Sequence, residues 1–183
     1  DEYVLASAGS GGNTEINNYG TINGALNYAL ATGDVVFNNY SNNSWNTSGF
    51  TFFGLGNDTE NNEGGTTTTS GAFATISFLT GNDKVINQAN LLGGIGTMNL
   101  NADVTTFLMG IGDDSVENRN GSIINANNNV IWTFDDLGPQ GKDTFSNVNG
   151  SQYVGTGTST FYFGGNDDEF LNDHSSFTQS GTA

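Results

Sequence analysis

The sequence predicts an all-β fold, a single parallel β-solenoid of about seven coils with 21–31 residues in each coil. Two observations support this: a heptapeptide that recurs along the chain, and short apolar stretches between its copies that alternate with Thr, Ser or Asn. Such alternation is typical of half-buried strands. Because one unit of this length cannot bury its own apolar face, we expect the units to stack into a rod with a shared core.

The heptapeptide consists of a turn residue, a variable residue, Asp or Asn, three more residues and a final Asn. Its seven copies are GGNTEIN (11–17), TGDVVFN (32–38), GNDTENN (56–62), GNDKVIN (81–87), GDDSVEN (112–118), GKDTFSN (141–147) and NDDEFLN (166–172). We expect each copy to form one corner and one strand of a coil. The apolar stretches at 26–30, 50–53, 73–79, 107–109, 130–134 and 161–163 predict a further strand in each unit.

The final Asn of each heptapeptide is predicted to face the interior. A strand places every second side chain on one face, and the residue two positions earlier is mostly apolar, as in Val85, Val116 and Phe145. An inward Asn can bond to the backbone of its turn and to the Asn of the next coil, which satisfies buried polar groups. The predicted ladder comprises Asn17, Asn38, Asn62, Asn87, Asn118, Asn147 and Asn172.

The composition agrees with this fold and excludes several functions. The 183 residues include 28 Asn and 27 Gly, which are poor helix formers, so a helical bundle is excluded. Three Lys and Arg stand against 19 Asp and Glu, and the net charge of −16 leaves too few cations for nucleic-acid binding. No apolar run is long enough to cross a bilayer, so we expect no membrane insertion.

Eight acidic residues within the heptapeptides are candidate metal ligands. In-register stacking would place their carboxylates about 5 Å apart along one edge, where neighbours repel by about 3 kcal/mol at an effective dielectric near 20. Protonation, turning of the side chains into water, or cations would relieve this repulsion. Clusters of oxygen ligands alone suit Ca²⁺, which is the predicted cofactor. The alternative is that these Asp residues bind no metal and only cap the turns through Asx hydrogen bonds. The candidates are Asp34, Asp58, Asp83, Asp113, Asp114, Asp143, Asp167 and Asp168.

Two resemblances bear on function. The stretches GLGND (54–58), GIGDD (110–114) and GGNDD (164–168) resemble the calcium-binding turns of RTX repeats, which implies calcium sites, although RTX turns recur every nine residues and these recur once per coil. Phrases such as GNDTENNEG (56–64), NNYGTINGAL (17–26) and ENRNGSIINA (117–126) are similar to repeats of secreted bacterial β-helical adhesins and autotransporter passengers. That similarity implies an extracellular or cell-surface rod without a defined active site.

We interpret the whole chain, 1–183, as one domain with an N-terminal strand within 1–10, repeats over 11–175 and a tail at 176–183. Neither flank resembles a cap, and the apolar segment 2–8 reads as an exposed strand, which we predict to exchange with a neighbour. The start at Asp1 without Met is expected for a processed, secreted chain. The leading hypothesis is therefore a secreted structural subunit that polymerises head to tail into an extracellular filament or matrix fibre, helped by calcium.

Two alternatives belong to other classes. The first is an adhesin or passenger fragment that binds a host or glycan surface. The second is a carbohydrate-active enzyme, for which the carboxylate pairs at 135–136 and 167–168 would be candidates. We expect no enzyme, because the bases available to act on an acidic polysaccharide are only Lys84, Arg119, Lys142 and His174, which are spread over four repeats.

Overall fold

The computed structural model describes residues 11–134 and 141–180, together with the backbone of Tyr3–Ala6. Every regular element in this part of the chain is a strand, and all pairs between named strands are parallel. The predicted parallel β-solenoid is therefore confirmed. Within the same residues there is no helix long and apolar enough to span a membrane.

The strands form three rows along the rod. The first row is the seven-stranded sheet, made by β2 (Thr14–Asn18), β5 (Val35–Tyr40), β7 (Thr59–Glu63), β9 (Lys84–Gln88), β12 (Ser115–Arg119), β15 (Thr144–Val148) and β18 (Glu169–Asp173). The second row contains β3 (Thr21–Asn23), the starts of β6 (Ser44–Phe52) and β8 (Thr66–Ser77), β10 (Thr97–Leu100), β13 (Ile123–Ala126), β16 (Gln152–Gly155) and β19 (Ser176–Gln179). The third row contains β1 (Tyr3–Ala6), β4 (Ala25–Asn27), the ends of β6 and β8, β11 (Val104–Leu108), β14 (Asn129–Thr133) and β17 (Ser159–Tyr162).

One strand from each row makes a coil, and the described residues form six complete coils, from β2–β4 to β15–β17. Two incomplete coils flank them. At one end β1 lies alone in the third row, paired with β4. At the other end β18 and β19 occupy the first and second rows on top of β15 and β16. The last of these strands lies in the segment that the repeat alignment assigned to a tail.

The core lies between the three rows and is built from stacked side chains. Phe107 lies flat on Trp132 with ring centroids 4.1 Å apart, and Phe53 lies on Phe78 at 4.5 Å. In-register stacking produces these contacts because equivalent inward positions of successive coils lie one strand spacing apart. Each such ring contributes about 1.5–3 kcal/mol when it is fully buried, so the shared core holds the coils together.

The register of the first two coils differs by one residue from the predicted alignment. Asn39 lies opposite Asn62, whereas Asn38 lies opposite Asn61. The inward ladder therefore runs through Asn18 and Asn39, and the assignments of Asn17 and Asn38 to it were wrong. The cause is that the apolar residues Ile16 and Phe37 are the ones turned inward, and a slip of one residue exchanges the faces of a strand.

Candidate functional site at the coil corners and the open end

A glycine begins the corner before most first-row strands. A Cβ on Gly81 would lie 2.0 Å from the carbonyl oxygen of Gly56, and one on Gly141 would lie 1.6 Å from that of Gly112. Both Gly81 and Gly141 also have positive φ, at 132° and 103°. The backbones of successive corners therefore stack at a distance that only glycine permits. The residues that share this packing against the preceding coil are Gly33, Gly56, Gly81, Gly112 and Gly141.

Two residues after the glycine, an inner Asp row lies inside the corner. The Oδ1 atom of each Asp accepts a hydrogen bond from the backbone N–H at the equivalent position of the preceding coil, with distances of 2.7–3.0 Å. The first four members are at most 1% exposed. This inner Asp row comprises Asp58, Asp83, Asp114, Asp143 and Asp168.

Burial makes two of these carboxyl groups difficult to ionise. Burial raises the pKa of Asp58 to about 6, although backbone N–H donors partly oppose the shift. Burial, together with the neighbouring carboxylates of Asp114 and Asp58, raises the pKa of Asp83 to about 8. The raised pKa favours the protonated form of the Asp83 carboxyl, and protonation is one of the three forms of relief that the sequence suggested.

An outer Asx row lies one residue earlier and bonds in the opposite direction along the rod. Here the side-chain oxygen accepts the backbone N–H of the following coil, as from Asn57 to Asp34 at 2.9 Å and from Asp113 to Asn82 at 3.0 Å. Each corner is therefore joined to both of its neighbours. The row comprises Asn13, Asp34, Asn57, Asn82 and Asp113, and Lys142 donates to Asp113 at its end.

The predicted metal ligands therefore do not share one edge. Asp58, Asp83, Asp114, Asp143 and Asp168 belong to the inner row, whereas Asp34 and Asp113 belong to the outer row and Asp167 precedes Asp168 at the equivalent position. Among the described residues, no group of three or more His, Cys, Asp or Glu side chains could hold a metal ion. The calcium site stays a prediction, and Asx hydrogen bonds do form, although between coils. The carboxylates at 135–136 lie outside the described residues.

An inner Asn row lies at the end of the first-row strands. The Nδ2 group of Asn118 donates to Asn147 Oδ1 at 2.7 Å and to the Gln152 carbonyl at 2.9 Å, and its Oδ1 accepts from Asn87 at 2.9 Å. The same pair of donations recurs at each step, so the row satisfies its own amides. Its members are Asn18, Asn39, Asn62, Asn87, Asn118, Asn147 and Asn172.

Glu60 is the polar exception at the middle inward position of the first-row strands, which is apolar in the adjacent coils. Its counterparts in the adjacent coils are Phe37 and Val85, and its own side chain is fully buried. The hydroxyl of Thr67 donates to Oε1 at 3.2 Å, and burial raises the pKa of Glu60 to about 7. A carboxyl group thus occupies a core position in the third coil.

Among the described residues, the strands at the C-terminal end of the rod leave part of the interior exposed. Phe170 of β18 is 45% exposed, and all five residues of this strand are exposed. With Phe161 and Phe177 it lines an apolar cavity of about 440 Å³ that opens to the end of the rod. The Asn row also ends here, and among the described residues Asn172 donates to the Ser175 carbonyl alone, at 3.4 Å.

The opposite end is built differently. The strands β2 and β3 have no neighbour on their outer edge among the described residues, while β1 covers β4. The predicted N-terminal strand thus pairs, at Tyr3–Ala6, with its own chain, and the rest of segment 1–10 lies outside the described residues. Exchange of this strand with a neighbour stays a prediction.

No family model, curated protein or solved structure matches this chain. The corners, the inner rows and the two ends are the structural features that bear on its function.

Proposed function

We propose that this protein is a structural β-solenoid subunit that assembles end to end into an extracellular filament. The open C-terminal end supports this proposal most directly. A solenoid end carries unpaired backbone donors and acceptors together with uncovered core side chains, and terminal repeats need a polar cap to remain soluble. Among the described residues no cap lies over β17, β18 and β19, and their inward side is aromatic.

The energetics favour a matching end as the occupant. Full burial of an exposed Phe contributes about 1.5–3 kcal/mol, and Phe161, Phe170 and Phe177 are each partly exposed. The parallel strands of the end also offer a template on which further strands can pair. Repetition of one heterologous contact between identical subunits gives an open filament instead of a closed ring, provided that the contact continues the rod axis.

The extracellular location rests on the resemblance to secreted β-helical proteins, and calcium enters as a helper of assembly. With a net charge of −16, the subunits repel one another at neutral pH, and cations reduce that repulsion. We therefore expect filaments to be longer or more numerous in millimolar calcium than in chelator.

The test is assembly of the purified 183-residue chain, followed by sedimentation and negative-stain microscopy over a range of protein concentrations. The matched variants are Phe170→Asp at the open end and Phe50→Asp on a side face, because the two rings are almost equally exposed, at 45% and 44%. We expect filaments from the wild type and from Phe50→Asp and none from Phe170→Asp. Short monodisperse particles from the wild type at every concentration, or filaments from Phe170→Asp, would contradict the proposal.

A further inference from the structure

We infer that the partner of the open end is the first coil of a second copy, in a single register that continues all three rows and the inner Asn row across the junction. This inference deepens the proposed function and depends on it. It specifies which atoms meet, whereas filament formation alone specifies only that the ends associate.

The first argument is that the two ends of the rod stop at different rows of the coil, and these rows complement each other. One end presents β18 and β19 in the first and second rows, with the third row ending at β17. The other end presents β1 in the third row alone, ahead of β2 and β3. Placed end to end, β18 and β19 of one copy and β1 of the next occupy the three rows of one coil. The strand β18 then lies against β2, β19 against β3, and β17 against β1.

The second argument is the match of inward positions. In the existing coils the register brings equivalent positions together, as where Phe145 lies opposite Phe170. Continuing that register places Phe170 opposite Ile16, so an exposed ring meets a partly buried aliphatic side chain. A shift of one residue would place Phe170 opposite Glu15 or Asn17, both exposed and polar, on the wrong face of the strand.

The third argument is the inner Asn row. Asn147 shows the arrangement of a complete step, donating to Asn172 Oδ1 at 2.7 Å and to the Ser176 carbonyl at 2.8 Å. At the junction the equivalent acceptors for Asn172 are Asn18 Oδ1 and the Thr21 carbonyl of the second copy. Both strands carrying them have a free outer edge in the described structure. Only the continuing register supplies both acceptors, and we infer that these hydrogen bonds select it.

The test is disulfide cross-linking between outward positions of β18 and β2. The chain contains no cysteine, so introduced thiols react without competition. In the inferred register Leu171 lies beside Asn17, and Glu169 lies beside Glu15, at about 4.8 Å between Cα atoms. The diagonal partners, Leu171 with Glu15 and Glu169 with Asn17, lie about 8 Å apart, which is beyond the reach of a disulfide.

The design uses four double variants from the same four positions. The in-register pairs are Leu171→Cys with Asn17→Cys and Glu169→Cys with Glu15→Cys, and the diagonal pairs are the controls. The two ends of one chain lie six coil steps apart, about 29 Å, so every disulfide joins two molecules. Single-cysteine variants detect contact between two like ends.

We expect mild oxidation to convert the in-register variants into a series of covalent oligomers on a denaturing gel, with at least about ten-fold more dimer than in the diagonal variants. Equal or stronger cross-linking of the diagonal variants would overturn the register. Dimers from Leu171→Cys alone would overturn the head-to-tail partner in favour of paired C-terminal ends.

Microscopy of the same unoxidised samples separates this inference from the proposed function. Filaments without preferential in-register cross-linking leave end-to-end assembly standing and overturn the register. The absence of both filaments and cross-links overturns the proposed function and the inference with it.

Discussion

From β7 to β15, each first-row strand has a buried Asp just before its start and a buried Asn near its end. The inner Asp row and the inner Asn row differ in how their side chains form hydrogen bonds. In β9 the two representatives, Asp83 and Asn87, are both at most 1% exposed. The amide donates and accepts, so each Asn bonds to the Asn above and the Asn below. The ionised carboxylate only accepts, and its donor is a backbone N–H of the preceding coil.

This difference shows how a stack of identical side chains can be stable in two ways. A row of amides is complete at any pH, since the amide does not titrate. A row of carboxyls accumulates negative charge unless protons or cations enter it, and the raised pKa values of Asp58 and Asp83 show that burial favours the proton. The Asn row is therefore a constant structural element, whereas the Asp row makes stability depend on pH.

The largest effect should follow from Asn87→Asp, which places a carboxylate in the Asn row. Asn118 Oδ1 and the Ile123 carbonyl would lose the hydrogen bonds that the Asn87 amide donates, and a buried negative charge would replace a neutral amide. We expect the free energy of unfolding to fall by about 3 kcal/mol or more at pH 7, measured by urea denaturation. The control is Asn61→Asp in the less buried outward row, which should cost far less. Equal losses in the two variants would contradict the distinction between inward and outward rows.

The pH dependence should be the next largest effect. The pKa values of Asp58, Glu60 and Asp83 are raised to about 6, 7 and 8 in the folded protein, above their usual values. The folded state therefore holds protons that the unfolded state has released. The resulting stabilisation is fully present below about pH 4 and is lost progressively from there as pH rises to the folded pKa values, up to about pH 8. We expect the melting temperature, followed by circular dichroism, to fall over this range, and a constant or rising value would contradict the protonation of these groups.

The variant Asp83→Asn should reduce that slope. In the wild type the Asp58 N–H donates to Asp83 Oδ1 at 2.7 Å. The amide of the variant keeps an oxygen that can accept this hydrogen bond, but it cannot ionise. We expect a melting temperature above that of the wild type at pH 9 and a smaller difference at pH 4. The control Asp113→Asn, in the outer Asx row, should leave the slope unchanged. If Asp113→Asn flattens the pH profile as much as Asp83→Asn, general charge reduction is the cause.

The smallest effect should come from Glu60→Gln. The amide oxygen can still accept the Thr67 hydroxyl, and removal of the titrating group should stabilise the protein mainly above pH 7, where the wild-type carboxyl ionises in the core. The measurement is again the melting temperature at pH 5 and pH 9. A stabilisation that is larger at pH 5 than at pH 9 would have the wrong sign for relief of a buried charge.

Much of the fold could be predicted because its repeat is local in the chain. Gly, Asp and Asn at fixed offsets mark each first-row strand, and the later stretches of alternating apolar residues mark the third row. The second row was not predicted as a separate set of strands, since segments such as Thr66–Thr69 are rich in hydroxyl side chains that turn inward and bond to one another. Thr69 bonds to Thr105 at 2.8 Å inside the core.

The candidate site was predicted only in part. Eight acidic residues were assigned to one stacked edge. Successive side chains already point to opposite sides at the corner, before the strand starts, and this divides the eight residues between two rows. Asp34 and Asp58 illustrate this, because Asp34 pairs with Asn57 across the outer row and Val35 occupies the inner position. The Asn-Asn pairs at 17–18 and 38–39 offered two possible registers, and the apolar residues at Ile16 and Phe37 were the signal that could have resolved them.

The sequence by itself determined that this chain is a solenoid, since a strand, a tight corner and an Asn repeated at coil spacing have few other ways to share a core. The tertiary structure decided which member of each polar pair is buried, which carboxyls have raised pKa values and which aromatic side chains stay exposed at the C-terminal strands of the described residues. The physical reason is that these properties depend on the coil above and the coil below. A neighbour 21–31 residues away supplies the backbone N–H, the Asn oxygen or the aromatic face that each position contacts.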